Sequence, residues 1–131
     1  MIESLIDPFR RMFDFRGRSR RRDYWLFVAW QFPIFILALI LGLNIVPEGD
    51  GFDAILGAPM VHMAVFGLPT LALQVRRLHD SDKGGWWLVV SLLPYLGLGW
   101  LILLMAQQGT WEPNRFGPDP RQAGWEGDLF E

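Results

Sequence analysis

The sequence predicts an all-α membrane protein with three transmembrane helices, a short amphipathic helix before them and an irregular tail after them. Of the 131 residues, 51% are hydrophobic and only 20% are charged, below the roughly 25% of an average soluble domain. Asp, Glu, Lys and Arg are absent from three runs, residues 24–46, 54–75 and 86–106. Each run has about the 20 residues that an α-helix needs to cross a bilayer, and none shows the polar face of a soluble helix. We therefore treat residues 1–131 as a single membrane domain.

The N-terminal segment, residues 1–23, is basic and begins with a predicted helix. In "SLIDPFRRMFDF" a proline in the first turn suits a helix start, and Leu5, Phe9, Met12 and Phe13 recur at helical spacing. This pattern predicts an amphipathic helix. Two placements remain open for it: the cytoplasmic lipid surface or the loops of the protein itself.

The distribution of basic residues predicts the orientation. Seven arginines precede the first run and three basic residues lie in the loop at 76–85, whereas "PEGDGFD" at 47–53 has none. Positively charged flanks remain in the cytoplasm, so we expect a multi-pass inner-membrane protein with a cytoplasmic N-terminus and an external 47–53 loop. With three spans, the tail at 107–131 is expected outside.

The second and third runs differ in their helix-breaking residues. The second contains Pro59 and Pro69 and has the weakest signal of the three for a spanning helix. A kinked helix that crosses is expected, and a broken or re-entrant segment is the alternative. In the third, Trp86 is expected at the cytoplasmic interface and Trp100, about 20 Å further along a helix, near the outer one. Proline is tolerated in membrane helices when neighbours satisfy the freed carbonyls.

The residue inventory argues against several kinds of chemistry. There is no cysteine, which excludes disulfides, thiol catalysis and cysteine–metal sites. His79 and Asp80 resemble the start of a metal site, but the other histidine, His62, lies within a predicted span, and metal sites need three or four converging ligands. We therefore predict no metal, no cofactor and no catalytic residue. Because the arginine run abuts a membrane segment, we also expect no nucleic acid partner.

The segment "RRLHDSDKGGWW" (76–87) is interpreted as a charged cap between two membrane helices. Arg76, Arg77 and Lys83 are expected to meet lipid phosphates, since basic residues near an anionic leaflet are attracted to it by about 1 kcal/mol each. Asp23 and Asp80 are expected to pair with the arginine-rich face, while Tyr24 and Trp25 suit an interfacial aromatic belt.

Three patches together carry a family resemblance: "FDFRGRSRRRDYW", "VRRLHDSDKGGWW" and "GTWEPNRFGPDP". In order and spacing, over residues 13–120, the chain resembles the domain of unknown function 805 family of small bacterial inner-membrane proteins. Gly84 stands where that family often has serine. The resemblance implies an inner-membrane protein and carries over no activity, cofactor or residue role. The motif positions are Gly17, Arg18, Arg21, Tyr24, Trp25, Arg76, Arg77, Leu78, His79, Asp80, Trp86, Asn114, Arg115, Phe116, Gly117, Pro118, Asp119 and Pro120.

These observations favour a non-enzymatic membrane component that binds anionic lipid or a partner protein. The residues expected to do so, or to build the motif, are Gly17, Arg18, Arg20, Arg21, Arg22, Asp23, Tyr24, Trp25, Arg76, Arg77, His79, Asp80, Trp86, Asn114, Arg115, Gly117 and Asp119. One alternative is a subunit of an oligomeric transporter or channel built around His62 or Asn44. A third reading is an enzyme at the headgroup surface that uses His79 and Asp80.

The side of the tail decides between two arrangements of the motifs. If all three runs cross, "NRFGPDP" lies across the bilayer from "RRLHD" and the two cannot share a site. If one run does not cross, both lie on one face. The charge distribution favours the first arrangement.

Overall fold

The computed structural model describes residues 2–45 and 51–122. Its helices are α1 (Ile2–Arg10), α2 (Arg21–Ile45), α3 (Gly51–Asp80), a 3₁₀ helix (Gly85–Leu92) and α4 (Gly97–Ala106). The described residues form no strand, which confirms the all-helical class. Within them, α2 and α3 are the two helices long and apolar enough to cross a membrane.

The surfaces of α2 and α3 are apolar and largely uncovered. In the most apolar stretch of α2, only 6% of the residues are buried, and large side chains such as Phe32 and Leu37 are more than half exposed. A soluble protein rarely exposes so large an apolar surface. The exposure suits helices that are surrounded by hydrocarbon.

The second run, expected to be the weakest, is continuous. α3 passes through Pro59 and Pro69 without a break and extends to Asp80. "RRLHD" is therefore the last turn of a helix, and the predicted 76–85 loop is reduced to residues 81–84.

The prediction of one spanning helix over residues 86–106 is not confirmed. The run divides into the 3₁₀ helix and α4, separated by residues 93–96. Leu93 is extended, with φ −66° and ψ 125°, because the residue before a proline disfavours the helical region. Tyr95 then takes a left-handed conformation, with φ +68°, so the chain turns between the two helices and does not continue as one.

The third run forms a hairpin whose two ends lie at the same end of α3. The 3₁₀ helix begins shortly after Asp80, and the carbonyl of Met105 accepts a hydrogen bond from Arg77, 3.2 Å from its Nε. Trp100 does not lie at an opposite interface, as expected, because its ring is stacked on Trp87 with centroids 6.1 Å apart. The close approach of the two arms requires Gly97, where a Cβ would lie 2.0 Å from the Ser91 carbonyl oxygen.

The buried apolar core lies where α2 begins and where α3 and α4 end. It consists of Tyr24, Phe27, Leu73, Leu78, Leu104 and Met105. α1 packs against this region: Pro8 is buried, and the ring of Phe9 makes edge contacts with Phe27 and Phe66, at centroid distances of 5.6 and 5.4 Å. The helix begins at Ile2 rather than in the turn of Pro8, and it ends before Met12 and Phe13, so its predicted bounds are wrong. It contacts α2 and α3, whereas its placement on lipid remains a prediction.

Candidate functional site

Three segments far apart in sequence meet beside this core. We call them together the charged end: residues 16–22, 76–83 and 107–122. The backbone N–H of Ser19 donates to the carbonyl of Arg76 at 3.1 Å, and that of Thr110 donates to the carbonyl of Asp80 at 2.9 Å. The tail therefore lies on the same face as the basic N-terminal segment, and the expectation of a tail on the opposite side is wrong in this structure.

Asp80 is the centre of a buried ion-pair network. One carboxylate oxygen lies 2.9 Å from Nη2 of Arg18, and the other lies 2.7 Å from Nη1 of Arg77; all three side chains are at most 2% exposed. The i, i+3 spacing of Arg77 and Asp80 on α3 makes their contact local. The contact with Arg18 spans 62 residues of sequence, so only the tertiary fold creates it.

The two arginines also bind the tail. Arg18 donates to the carbonyls of Thr110 at 2.6 Å, Glu112 at 3.0 Å and Gly117 at 3.4 Å. Arg77 donates to the carbonyl of Gln107 as well as to that of Met105. Carbonyl oxygens accept hydrogen bonds from a guanidinium but do not neutralise its charge. The single carboxylate of Asp80 is therefore the counter-charge of both Arg18 and Arg77.

Arg76 and Arg77 do not face lipid phosphates, contrary to the sequence prediction, because both are fully buried. Arg76 donates through Nη1 to the carbonyls of Arg11 and Asp14, at 3.2 and 3.3 Å. Its Nε and Nη2 are buried with no hydrogen-bond partner among the described residues. Lys83, also expected at phosphates, donates to the side chain of Gln107 at 2.7 Å.

His79 contacts the tail motif "NRFG", which was predicted from the sequence to lie on the opposite side of the bilayer. Its ring is stacked on Phe116, with centroids 3.8 Å apart and planes 4° from parallel. Nδ1 lies 3.1 Å from the carbonyl oxygen of Gly17, and the side chain of Asn114 donates to the carbonyl of His79 at 2.9 Å. "RRLHD", "RGRS" and "NRFG" therefore form one packed unit.

The tail up to residue 122 is irregular, as expected, but it is not a loose extension. Backbone hydrogen bonds of 3.1 and 3.0 Å close a turn between Asn114 and Gly117, and Arg115 pairs with Asp82 at 3.1 Å. Asp119 is buried and pairs with Arg121 at 3.3 Å. Residues 123–131 of the predicted tail lie outside the described residues.

Gly109 is a residue that sequence reasoning missed. A Cβ at this position would lie 1.9 Å from Oδ2 of Asp80, so only glycine allows the tail to approach the network this closely. Ser19, Thr110 and Arg121 were also missed. Nothing in their local sequence marks them, because their contacts are made across the fold.

The remaining predicted residues lie around the network. Asp23 accepts a hydrogen bond from the hydroxyl of Ser4 at 2.8 Å rather than pairing with an arginine. Tyr24 is buried, at 5% exposure, whereas Trp25 and Trp86 are exposed. Of these three predicted belt residues, only Tyr24 joins the core.

The exposed arginines of the charged end border a cavity. Arg20, Arg21 and Arg22 are exposed. They line, with Arg121, a cavity of about 390 Å³ that we call the arginine pocket; its other lining residues are Asp80, Gln108, Gly109 and Trp111. The guanidinium of Arg121 lies 4.4 Å from the centroid of the Trp111 ring, a cation–π distance.

Within the apolar body, a polar trio links α2 and α3. Nε2 of His62 lies 3.2 Å from Oε1 of Gln31, and Nε2 of Gln31 donates to the hydroxyl of Thr70 at 3.2 Å. Asn44 instead donates to the carbonyl of Ile40 within its own helix. Among the residues that the structure describes, no three His, Asp or Glu side chains are grouped as a metal site requires.

Apolar helices with outward-facing hydrocarbon side chains and a packed charged end define a helical membrane protein. The profile of the family described as "Protein of unknown function (DUF805)" matches residues 12–118, and the chain belongs to this family, as the resemblance indicated.

Three relatives illustrate the match, and two of them are named as inner membrane proteins. The chain is 41% identical to "Inner membrane protein YhaH" of Escherichia coli (strain K12) over 82% of this chain and 87% of the relative. It is 37% identical to "Inner membrane protein YhaI" of the same strain, over 82% and 86%, and 30% identical to "Uncharacterized protein YiiR", over 82% and 68%. No solved structure matches the chain significantly.

Proposed function

We propose that this chain is a non-enzymatic component of the bacterial inner membrane that binds anionic lipid headgroups through exposed arginines. One observation carries the proposal: Arg20, Arg21, Arg22 and Arg121 surround one pocket where the apolar body ends. α2 begins at Arg21 and α3 ends at Asp80, so the pocket lies at the level of the headgroups when these helices cross the membrane. The buried Arg18, Arg76 and Arg77 hold the fold together and take no part in lipid binding.

The proposed topology has two crossings and one re-entrant hairpin. α2 has 25 residues, about 37 Å of helix, which exceeds the roughly 30 Å of hydrocarbon. The eight-residue 3₁₀ helix and the ten-residue α4 extend about 16 Å and 15 Å. Each arm of the hairpin therefore reaches about halfway and returns. By the positive-inside rule, we expect the charged end to lie in the cytoplasm, together with the N-terminal segment and the tail.

The topology is tested with two reporters, a fluorescent protein that folds in the cytoplasm and a phosphatase that is active only in the periplasm. Fused separately after Glu131, we expect fluorescence without phosphatase activity. A matched fusion that ends after Glu48 keeps only the first crossing and should show the reverse. Phosphatase activity after Glu131 would mean that the third run crosses, and the re-entrant hairpin would be wrong.

Lipid binding is tested by native mass spectrometry of the purified protein in an equal mixture of phosphatidylglycerol and phosphatidylcholine. We expect the bound lipid to be mainly phosphatidylglycerol. Replacing the exposed Arg10, Arg16 and Arg22, together with the partly buried Arg121, by glutamine in one variant should abolish the preference. A wild-type protein that binds both lipids equally would refute the proposal.

The geometry around His79 and Asp80 supports a non-enzymatic role. A general acid or base must reach the reacting group of a substrate. One face of the His79 ring is covered by Phe116, and both carboxylate oxygens of Asp80 accept from arginines. The pair is better suited to joining segments than to transferring a proton to a substrate.

The second candidate function, a subunit of an oligomeric transporter or channel, rests on the trio of Gln31, His62 and Thr70. Polar side chains inside a membrane helix often mark a transport pathway. One chain with two crossings can hardly enclose a pathway, so this function requires an oligomer. A detergent-corrected mass of one protomer by light scattering would rule it out.

A further inference from the structure

We propose that the arginine pocket is a discrete site for one doubly charged phosphate monoester group, carried by a lipid headgroup or by a small soluble molecule. The inference rests on the proposed function and names the ligand of the same face. The two proposals differ in what binding requires. General attraction to an anionic surface depends on the number of arginines, whereas binding at a discrete site depends on which arginines are present.

Charge is the first observation that favours such a site. Arg20, Arg21 and Arg22 line the pocket and have no carboxylate partner among the described residues. The one acidic side chain that lines it, Asp80, is already shared between Arg18 and Arg77. Three arginines that line one pocket therefore give it an excess positive charge, which attracts an anion. The fourth, Arg121, is paired with Asp119.

Anchoring by backbone oxygens is the second observation. Arg20 donates to the carbonyl of Pro120 at 2.8 Å, and Arg21 donates to the carbonyl of Ala106 at 3.2 Å. Arg121 donates to the carbonyl of Gly109 at 3.0 Å. Each guanidinium has five N–H donors, so these bonds position the cations and leave further donors for a ligand.

A neighbouring cavity of similar size provides the internal comparison. Its volume is about 480 Å³, and it is lined by Arg10 and Arg20 but also by Glu3, Asp7 and Asp23. Its charges nearly balance, and Asp23 is bonded to Ser4. The unbalanced positive charge is therefore specific to the arginine pocket and is not a general property of the charged end.

The geometry favours a phosphate monoester over a diester. Arginine binds phosphate oxygens in pairs through its planar fork, and a monoester carries close to two negative charges at neutral pH, with three oxygens free to accept. A diester offers one charge and two such oxygens. Trp111 at the rim, with Arg121 over its ring, gives the pocket an apolar edge beside its cations.

The test measures binding of short-chain phosphatidic acid, short-chain phosphatidylglycerol and inorganic phosphate to the full chain in a neutral detergent, by calorimetry. We expect one molecule of phosphatidic acid per chain and weaker binding of phosphatidylglycerol. Arg22→Gln with Arg121→Gln should weaken phosphatidic acid on the order of tenfold or more, because each lost charge-assisted contact changes affinity by about that factor. The control Arg10→Gln with Arg16→Gln removes the same charge outside the pocket and should change it less than about twofold.

The outcomes separate the site from the proposed function. If both double variants weaken binding equally, the discrete site is wrong while general binding to anionic lipid stands. If the two lipids bind alike, the assignment of a phosphate monoester is wrong. If the wild type binds no anionic lipid, both fail. Inorganic phosphate that competes at similar concentration identifies a soluble ligand, and phosphate that does not compete identifies a lipid headgroup.

One variant protects the test against loss of folding. The side chain of Arg22 makes no hydrogen bond among the described residues, so Arg22→Gln alone should leave the gel-filtration profile unchanged. If the double variant fails to fold, a phosphatidic acid affinity that is unchanged in Arg22→Gln would overturn the site.

Discussion

The charged end and the apolar body of this protein reverse the usual distribution of residues. At the charged end, Arg18, Arg76, Arg77 and Asp80 are buried, whereas along α2 and α3 large side chains such as Phe32 and Met63 are mostly exposed. In water, the exposed apolar surface would be unfavourable, whereas buried charges are tolerated when they are paired, as Arg18 and Arg77 are with Asp80. In a bilayer the exposed apolar side chains are solvated by hydrocarbon, and the charges remain together outside it. The comparison shows that the charged end, although polar, is the packed part of the molecule.

The largest expected effect breaks the ion-pair network. Asp80→Asn leaves Arg18 and Arg77 buried without a counter-charge, and removing one member of a buried pair costs about 3–5 kcal/mol. Thermal unfolding in detergent should show a large drop in the midpoint. The control is Asp82→Asn, whose pair with Arg115 is about half exposed and should contribute less than about 1 kcal/mol. Similar midpoints for the two variants would contradict the central role of Asp80.

The second prediction compares two leucines on α3. Leu73 is 1% exposed and Leu71 is 43% exposed. Leu73→Ala creates a cavity in the core and should lower the free energy of unfolding by about 2–5 kcal/mol. Leu71→Ala exchanges one lipid-facing side chain for a smaller one and should cost much less. Equal losses would show that the outer face of α3 is covered by protein rather than by lipid.

The third prediction compares Gly109, at the charged end, with Gly99, in α4, and a smaller loss of stability is expected. Gly109→Ala forces a Cβ against the carboxylate of Asp80, whereas a Cβ at Gly99 in α4 meets nothing within 4 Å. We expect Gly109→Ala to destabilise by about 1–3 kcal/mol, as overpacked sites do. Gly99→Ala should be neutral or slightly stabilising, since alanine favours a helix. Limited proteolysis should cut the tail faster in Gly109→Ala alone.

The smallest effect is expected at the exposed pair of Arg11 and Asp14. The hydrogen bond from Arg11 lowers the pKa of the Asp14 carboxyl, and the backbone N–H of Arg16 adds to this. A lowered pKa gives stability that is present above the unfolded value, about 3.9, and lost as the pH falls through the folded value. Since the side chain of Asp14 is 40% exposed, the contribution should be well below about 1 kcal/mol.

Unfolding midpoints measured between about pH 5 and pH 3 test this last prediction. Asp14→Asn should remove a small part of the acid-induced decrease, while Asp82→Asn serves as the exposed-carboxylate comparison. A large change of the acid-induced decrease in Asp14→Asn would contradict the prediction, because it would mean that an exposed ion pair contributes as much stability as a buried one.

The sequence predicted the parts of the fold that depend on local properties. Two long uncharged runs were sufficient to indicate α2 and α3, and the motif order was sufficient to indicate the family. The division of the third run into two short helices was not predictable from hydropathy, because a hairpin and a spanning helix have the same apolar composition. Pro94 was visible, but Pro59 and Pro69 lie in an unbroken helix, so proline alone does not distinguish the two cases.

The candidate site was predicted in its residues and missed in its arrangement. Arg18, Arg76, Arg77, His79 and Asp80 were all identified, yet a surface role in lipid contact was expected for arginines that are buried. A sequence shows where charges are and not which of them meet, and the contact between Arg18 and Asp80 joins positions 62 residues apart.

By itself, the sequence determined that this is a helical membrane protein with a basic N-terminal segment and a basic 76–83 segment, because hydrophobicity and charge are fixed residue by residue. Tertiary structure alone decided that the tail returns to the basic face and that Asp80 holds two arginines. It also decided which arginines remain exposed around the pocket. The physical reason is that a buried charge needs a partner, and for Arg18 that partner, Asp80, lies 62 residues away in the sequence.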